Sequence, residues 1–200
     1  MKQEAPQTRP SRAGTPARQG REHVKTEPVV LAKAEWPSGP SDTVDTLPKI
    51  AGFVVSDFNP LVAETAERCL RAHYGTAPAD PLRGATTGVV LASVRGDVMT
   101  VDAVHGALRD GRRVPPLLFF QSNPNAVVGH VTARWGLSGP VVCTSPVGDP
   151  VADGLAVAAL LIEDGAATEV LVIAADLALD ENDRAHAVAL LVAGRQTREG

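Results

Sequence analysis

GPVVCTSPVGDPVADGLAVAALLIEDGAATEVLVIAAD, Gly139 to Asp176, reads as a strand, a sharp loop, an apolar helix and a second strand. PVVCTS (140–145) is the first strand. Asp149 fits the N-cap of the helix, Pro150 its first position, where a missing N–H costs nothing, and Gly165 its stop. From Leu155 to Ile162 the helix is almost wholly apolar, which predicts burial on most sides. TEVLVIAAD (168–176) is a continuous apolar run of the kind found in a strand covered on both faces. In many α/β enzymes a nucleophile stands at such a strand-to-helix corner. This corner offers Cys143 nearby, with Gly148 where the helix opens.

The same alternation extends outward on both sides. HAVALLVAGR (186–195) is a further strand, and TGVVLASVRGD (87–97) an upstream one. PLVAETAERCLRAHYG (60–75) has Leu61, Thr65, Cys69 and Leu70 on one helical face, so Cys69 is expected to be a small core residue. DVMTVDAVHGALRDGRR (97–113) predicts a helix with Val101, Val104 and Leu108 inward, and NPNAVVGHVTARWGL (123–137) a helix with a Val127–Val131–Trp135 stripe. KIAGFVVSD (49–57) suggests a short strand and turn, and the prolines of VPPLLFFQSN (114–123) suggest an extended segment. No repeat of fixed period appears. Strands alternating with helices imply an α/β layer fold: a mixed, mostly parallel central sheet flanked by helices.

Residues 1–46 differ in composition. They are rich in Pro, Gly, Thr and Arg and poor in large apolar residues, which predicts a disordered N-terminal tail and linker ahead of a domain over 47–200, with VVLAKAEW (29–36) as a short ordered patch. A net charge of −4 argues against a nucleic-acid partner, since phosphate binding needs a positive surface. No apolar run reaches the roughly 18–20 residues that span a bilayer. Two cysteines make neither a disulfide framework nor a zinc site, and reduced thiols point to the cytoplasm. No cofactor or metal motif is present in the sequence.

FFQSNPNAVVGHVTARWGLSGPVV (119–142), the apolar helix, Glu163-Asp164-Gly165 and TEVLVIAAD together resemble the N-terminal half of a β-ketoacyl-acyl carrier protein synthase, a thiolase-fold condensing enzyme. The resemblance runs from about Gly88 to Ala175 and rests on the order and spacing of Ser122–Asn125, Gly129, GLSGP (136–140) and Asp164-Gly165. It implies a half thiolase fold. It places the family's nucleophilic cysteine eight residues past Pro140, at Gly148, and the helix-ending glycine seventeen residues further, at Gly165. Cys143 then falls mid-strand, as an inert thiol. The family's two catalytic histidines come from a C-terminal half that these 200 residues do not contain. His23, His73, His105 and His130 read as tail or helix-surface residues, and His186 as the start of a strand.

The resemblance therefore implies a ketosynthase-like subunit without a nucleophile, of the kind called a chain-length factor, which pairs with an active ketosynthase and meets an acyl carrier protein. It implies that Leu155, Val157, Leu160, Val170 and Val172 lie near a dimer interface, and that Phe119, Phe120, Gln121 and Asn125 lie near an acyl tunnel or that interface. Core packing is the alternative for each of these residues. Two other functions stay open: a homodimeric scaffold or binding module on a half thiolase fold, and a weak decarboxylase or acyltransferase working through a remodelled site near Thr144 and Ser145.

Overall fold

The computed structural model describes residues 28–178 and 183–195. Five strands, β1 (Val29–Trp36), β2 (Thr87–Ala92), β3 (Val141–Thr144), β4 (Glu169–Asp176) and β5 (His186–Ala193), form one sheet in the order β1-β5-β4-β2-β3. β2 runs parallel to both β3 and β4, and β5 is antiparallel to both β4 and β1. The result is a mixed α/β sheet with a parallel β3-β2-β4 core.

Alternation of side chains sorts the sheet into two faces. Val89, Leu91, Leu171, Ile173 and Leu191 point to one side. There α1 (Phe58–Tyr74) and α5 (Asn125–Trp135) cover them with Phe58, Leu61, Val131 and Trp135. Val90, Val170, Val172 and Val192 point to the other side, beneath α6 (Pro150–Glu163). Every residue of β4 is buried, which explains its unbroken apolar run. α6 can lie this close because Gly154 has no side chain: a Cβ there would come within 2.6 Å of Val172 Cγ1.

Several sequence-based expectations need correction. The boundary after residue 46 cuts through the folded unit, because Val29–Trp36 is a full strand zipped along β5 from Val29↔Ala193 to Trp36↔Ala187. Residues 1–27, where the rest of the expected tail falls, lie outside the described residues. The 49–57 segment forms turns, with Val54 and Val55 exposed. Residues 116–121 form a helix, α4 (Pro116–Gln121), because Pro116 occupies its first position, where proline fits. In α3 (Val98–Arg109) Thr100 and Ala107 face inward, while Val101 and Leu108 are exposed. In α6 only Gly154 and Ala158 are fully buried, and Leu160 is 56% exposed. That helix rests on a single sheet face, and its outer side is uncovered among the described residues. A short helix, α2 (Pro81–Thr86), leads directly into β2.

Candidate functional site

The β3–α6 corner is closed by its own residues. Gly148 is exposed, and a Cβ built on it would meet nothing within 4 Å, so space for a side chain exists. Asp149, in extended conformation, accepts from Val151 N at 2.8 Å and Ala152 N at 3.4 Å through Oδ1. Pro150 has no N–H, and Asp153 N donates to the Asp149 carbonyl at 3.0 Å. All N–H groups of the first turn are thus engaged, and the anion that a helix N-terminus attracts is the chain's own carboxylate.

Cys143 stands in β3, half-buried, with Sγ donating to Asn125 Oδ1 at 3.0 Å. Burial pushes its thiol pKa up. Cys69 is fully buried and pushed to about 11 for the same reason. Neither is a thiolate near neutrality. The C-terminal ends of β2 and β3 line a shallow recess of about 360 Å³ with Ser93, Arg95, Cys143, Thr144 and Ser145. Behind it the buried Asp176 accepts from Ser93 Oγ at 2.9 Å and Arg95 N at 3.0 Å. Ser145 Oγ donates to the Val94 carbonyl at 3.1 Å. Among the described residues no histidine is hydrogen-bonded to Cys143, Thr144 or Ser145, so no nucleophile–base pair forms. His73 lies 2.7 Å from Arg83 Nη2, His130 edges onto Phe53, and His105 and His186 are exposed.

A second recess, about 340 Å³, is lined by Phe119, Phe120, Ser122, Asn123, Asn125 and Ala126. Phe119 is 76% and Phe120 63% exposed. Asn125 joins this recess to β3 through Cys143. Among the described residues β3 pairs only with β2, which leaves its outer edge unpaired, and Val141 on it is exposed.

The structure therefore brings Phe119, Phe120 and Asn125 together at the surface and separates them from the rest. Leu155 and Val157 are half-buried and Leu160 is exposed on the outer side of α6. Val170 and Val172 are core residues beneath that helix on a strand with no free edge, so neither reaches a surface. Gln121 is fully buried: its Oε1 accepts from Val54 N at 2.9 Å, and its Nε2 donates to the Val54 carbonyl and, at 2.9 Å, to Thr100 Oγ1. Sequence reasoning missed the network behind it, in which Asp97 accepts from Asn59 Nδ2 at 2.8 Å and Thr100 N at 3.0 Å. Only the helix-capping position of Asp97 could have signalled it.

A family model of the beta-ketoacyl synthase N-terminal domain matches residues 32–195. The chain belongs to this family. Curated protein sequences include no match. Among solved structures, the complex of the ketosynthase ApeO with its chain length factor ApeC from Xenorhabdus doucetiae contains a similar chain, at 19% identity and TM-score 0.65, over 86% of this chain and 80% of that one. The ishigamide ketosynthase/chain length factor matches at 18% and 0.67, over 86% and 63%. A type II polyketide synthase complex, AntDE with the acyl-carrier protein AntF, matches at 15% and 0.62, over 86% and 64%. These likenesses show a shared ketosynthase-like fold. The chain spans under two thirds of the length of the second and third. Within this ketosynthase-like domain, no described helix is long and apolar enough to cross a membrane.

Proposed function

We infer that this ketosynthase-like chain is a non-catalytic subunit of a type II polyketide or fatty-acid synthase, acting in the cytoplasm. It pairs with an active ketosynthase, stabilising it or setting the length of its product, and through it meets an acyl carrier protein. The observation that carries this function is the β3–α6 corner. Gly148, to which the family resemblance assigns the nucleophile, can neither attack nor donate a proton. The Val151 and Ala152 N–H groups at the start of α6, which would favour a thiolate there, are held by the Asp149 carboxylate.

The surfaces left open support pairing. Among the described residues, the outer edge of β3 is unpaired, and the Phe119–Phe120 recess and the outer side of α6 around Leu160 are exposed. Exposed apolar surface beside an unpaired strand edge is the ordinary mark of a protein–protein contact. The free β3 edge would also accept a second copy of the chain, which keeps a homodimer as the competing arrangement.

The test is co-expression with the ketosynthase encoded nearest to it, followed by affinity capture and light scattering. A stable heterodimer supports the proposal. Failure to associate, or a homodimer that persists in excess ketosynthase, overturns it.

A further inference from the structure

We propose that Gln121 is a positioning residue that holds the 54–55 loop and α4 as one rigid surface, and so fixes the direction in which Phe119 and Phe120 project. α4 has only six residues and no side-chain cap at its start. A helix that short has no stability of its own. It buries two side chains, Leu118 and Gln121, while Leu117, Phe119 and Phe120 face solvent. What orients the aromatic pair is therefore whatever holds those two.

Gln121 is well suited to do so. Its amide reads the Val54 backbone in both directions, accepting from the N–H and donating to the carbonyl, as a neighbouring strand would. The second amide hydrogen reaches Thr100, whose own N–H is capped by Asp97, which in turn holds Asn59. One buried chain of hydrogen bonds thus ties the end of α4 to the beginnings of α3 and α1. Both amide atoms are used, and a buried amide with every partner in place has a single orientation.

The loop side of the clamp is strained. Val55 has φ 78°, the one non-glycine residue with positive φ among the described residues. For a β-branched residue that conformation is unfavourable and persists only where its surroundings over-determine it. The two-point hold on the preceding residue, Val54, supplies that constraint. Val54 and Val55 are themselves exposed, so the Gln121 bonds couple two exposed apolar segments. Resting on the function proposed above, the occupant of this surface is the partner ketosynthase, and the clamp sets how the phenylalanines meet it.

The proposal is tested with Gln121→Leu, using Leu191→Ala, a buried β5 residue far from α4 in sequence, as the control for general loss of stability. In the lone chain, hydrogen exchange at residues 54–56 and chymotrypsin cleavage after Phe119 and Phe120 should rise about tenfold in Q121L beyond the control. In the complex, dissociation of the captured ketosynthase should quicken by about tenfold relative to L191A. Lone-chain rates in Q121L that merely follow those of L191A overturn the clamp. A loosened α4 with unchanged dissociation overturns its role in partner contact. Should Q121L not fold, Thr100→Val removes only the α3 anchor and should raise both lone-chain rates about threefold. If the wild-type chain captures no ketosynthase, the function proposed above falls, and the lone-chain rates still decide whether the clamp exists.

Discussion

The α6 corner and the α4 clamp solve the same problem by different means. Each must fix a chain segment where backbone groups would otherwise go unpaired. At the corner the solution is local: Asp149 caps residues two and three positions ahead of it. At the clamp it is distant: Gln121 pairs with Val54, 67 positions earlier. Local pairing involves only the corner's own first turn. Distant pairing couples three helices, so the clamp's members depend on one another.

The most damaging way to probe this contrast is Gln121→Leu. It leaves the buried Thr100 hydroxyl and the Val54 backbone without partners, and loses about 2–3 kcal/mol by the usual cost of orphaned polar groups. Urea denaturation reads that loss directly. A loss below that of a simple cap deletion would show the distant clamp to be no more demanding than the local one.

Glu67 extends the distant class. It accepts from Trp135 Nε1 at 2.8 Å and Arg134 Nε at 2.9 Å on α5, and from Arg71 on its own helix. These bonds, Arg134 foremost, hold its pKa at about 2 against the ordinary 4.5, although burial opposes them. A carboxylate depressed in the folded state stabilises above its unfolded value, and that contribution fades as pH falls from 4.5 towards 2. Glu67→Ala should lose about 1–2 kcal/mol near neutrality, mainly from the orphaned indole N–H. The gap between variant and wild type should narrow at pH 3, measured by urea midpoints at both pH values. A gap that widens on acidification would contradict the assignment.

At the corner the effects are smaller. Asp149→Ala should cost about 1 kcal/mol, the usual value of an N-cap, and Asp149→Ser much less. The same cap should govern reactivity. A thiol introduced as Gly148→Cys sits beside that carboxylate and should alkylate slowly, and adding Asp149→Ser should speed iodoacetamide reaction at pH 7 about tenfold, one pKa unit of relief. Equal rates would show that the carboxylate does not guard the corner.

The same contrast separates what was legible in the sequence from what was not. The order of β2, β3, α6, β4 and β5, the Asp149 cap and the core placement of Cys69 follow from period, local spacing and capping chemistry, all carried within a few residues. VVLAKAEW is legible only as an ordered patch and not as a strand of the sheet, because its partner β5 lies some 150 positions away and its Pro- and Gly-rich neighbours conceal that pairing. The sequence of α4 suggests an extended segment because Pro115 and Pro116 suit both a loop and a first helical turn. Sequence alone does not separate Gln121 from the exposed Phe119 and Phe120, because its buried partners, Val54 and Thr100, lie 67 and 21 positions away. For Val170 and Val172 the sequence leaves interface and core open, because an apolar residue in a strand has the same signature in either place, and the fold buries both beneath α6.

The smallest effect offers the sharpest test of how the two regions differ. Val55→Gly removes the side-chain penalty at φ 78° but adds freedom to the unfolded chain. The net change should be a gain of about 0.5 kcal/mol. In the Q121L background the loop is no longer held at that φ, so Val55 can relax and the gain should vanish. The double-mutant cycle should therefore show coupling between positions 55 and 121, whereas Val55→Gly combined with Asp149→Ala, at the local corner, should be additive. Coupling at both pairs, or at neither, would erase the distinction between a cap that serves its own turn and a clamp that holds strain across the fold.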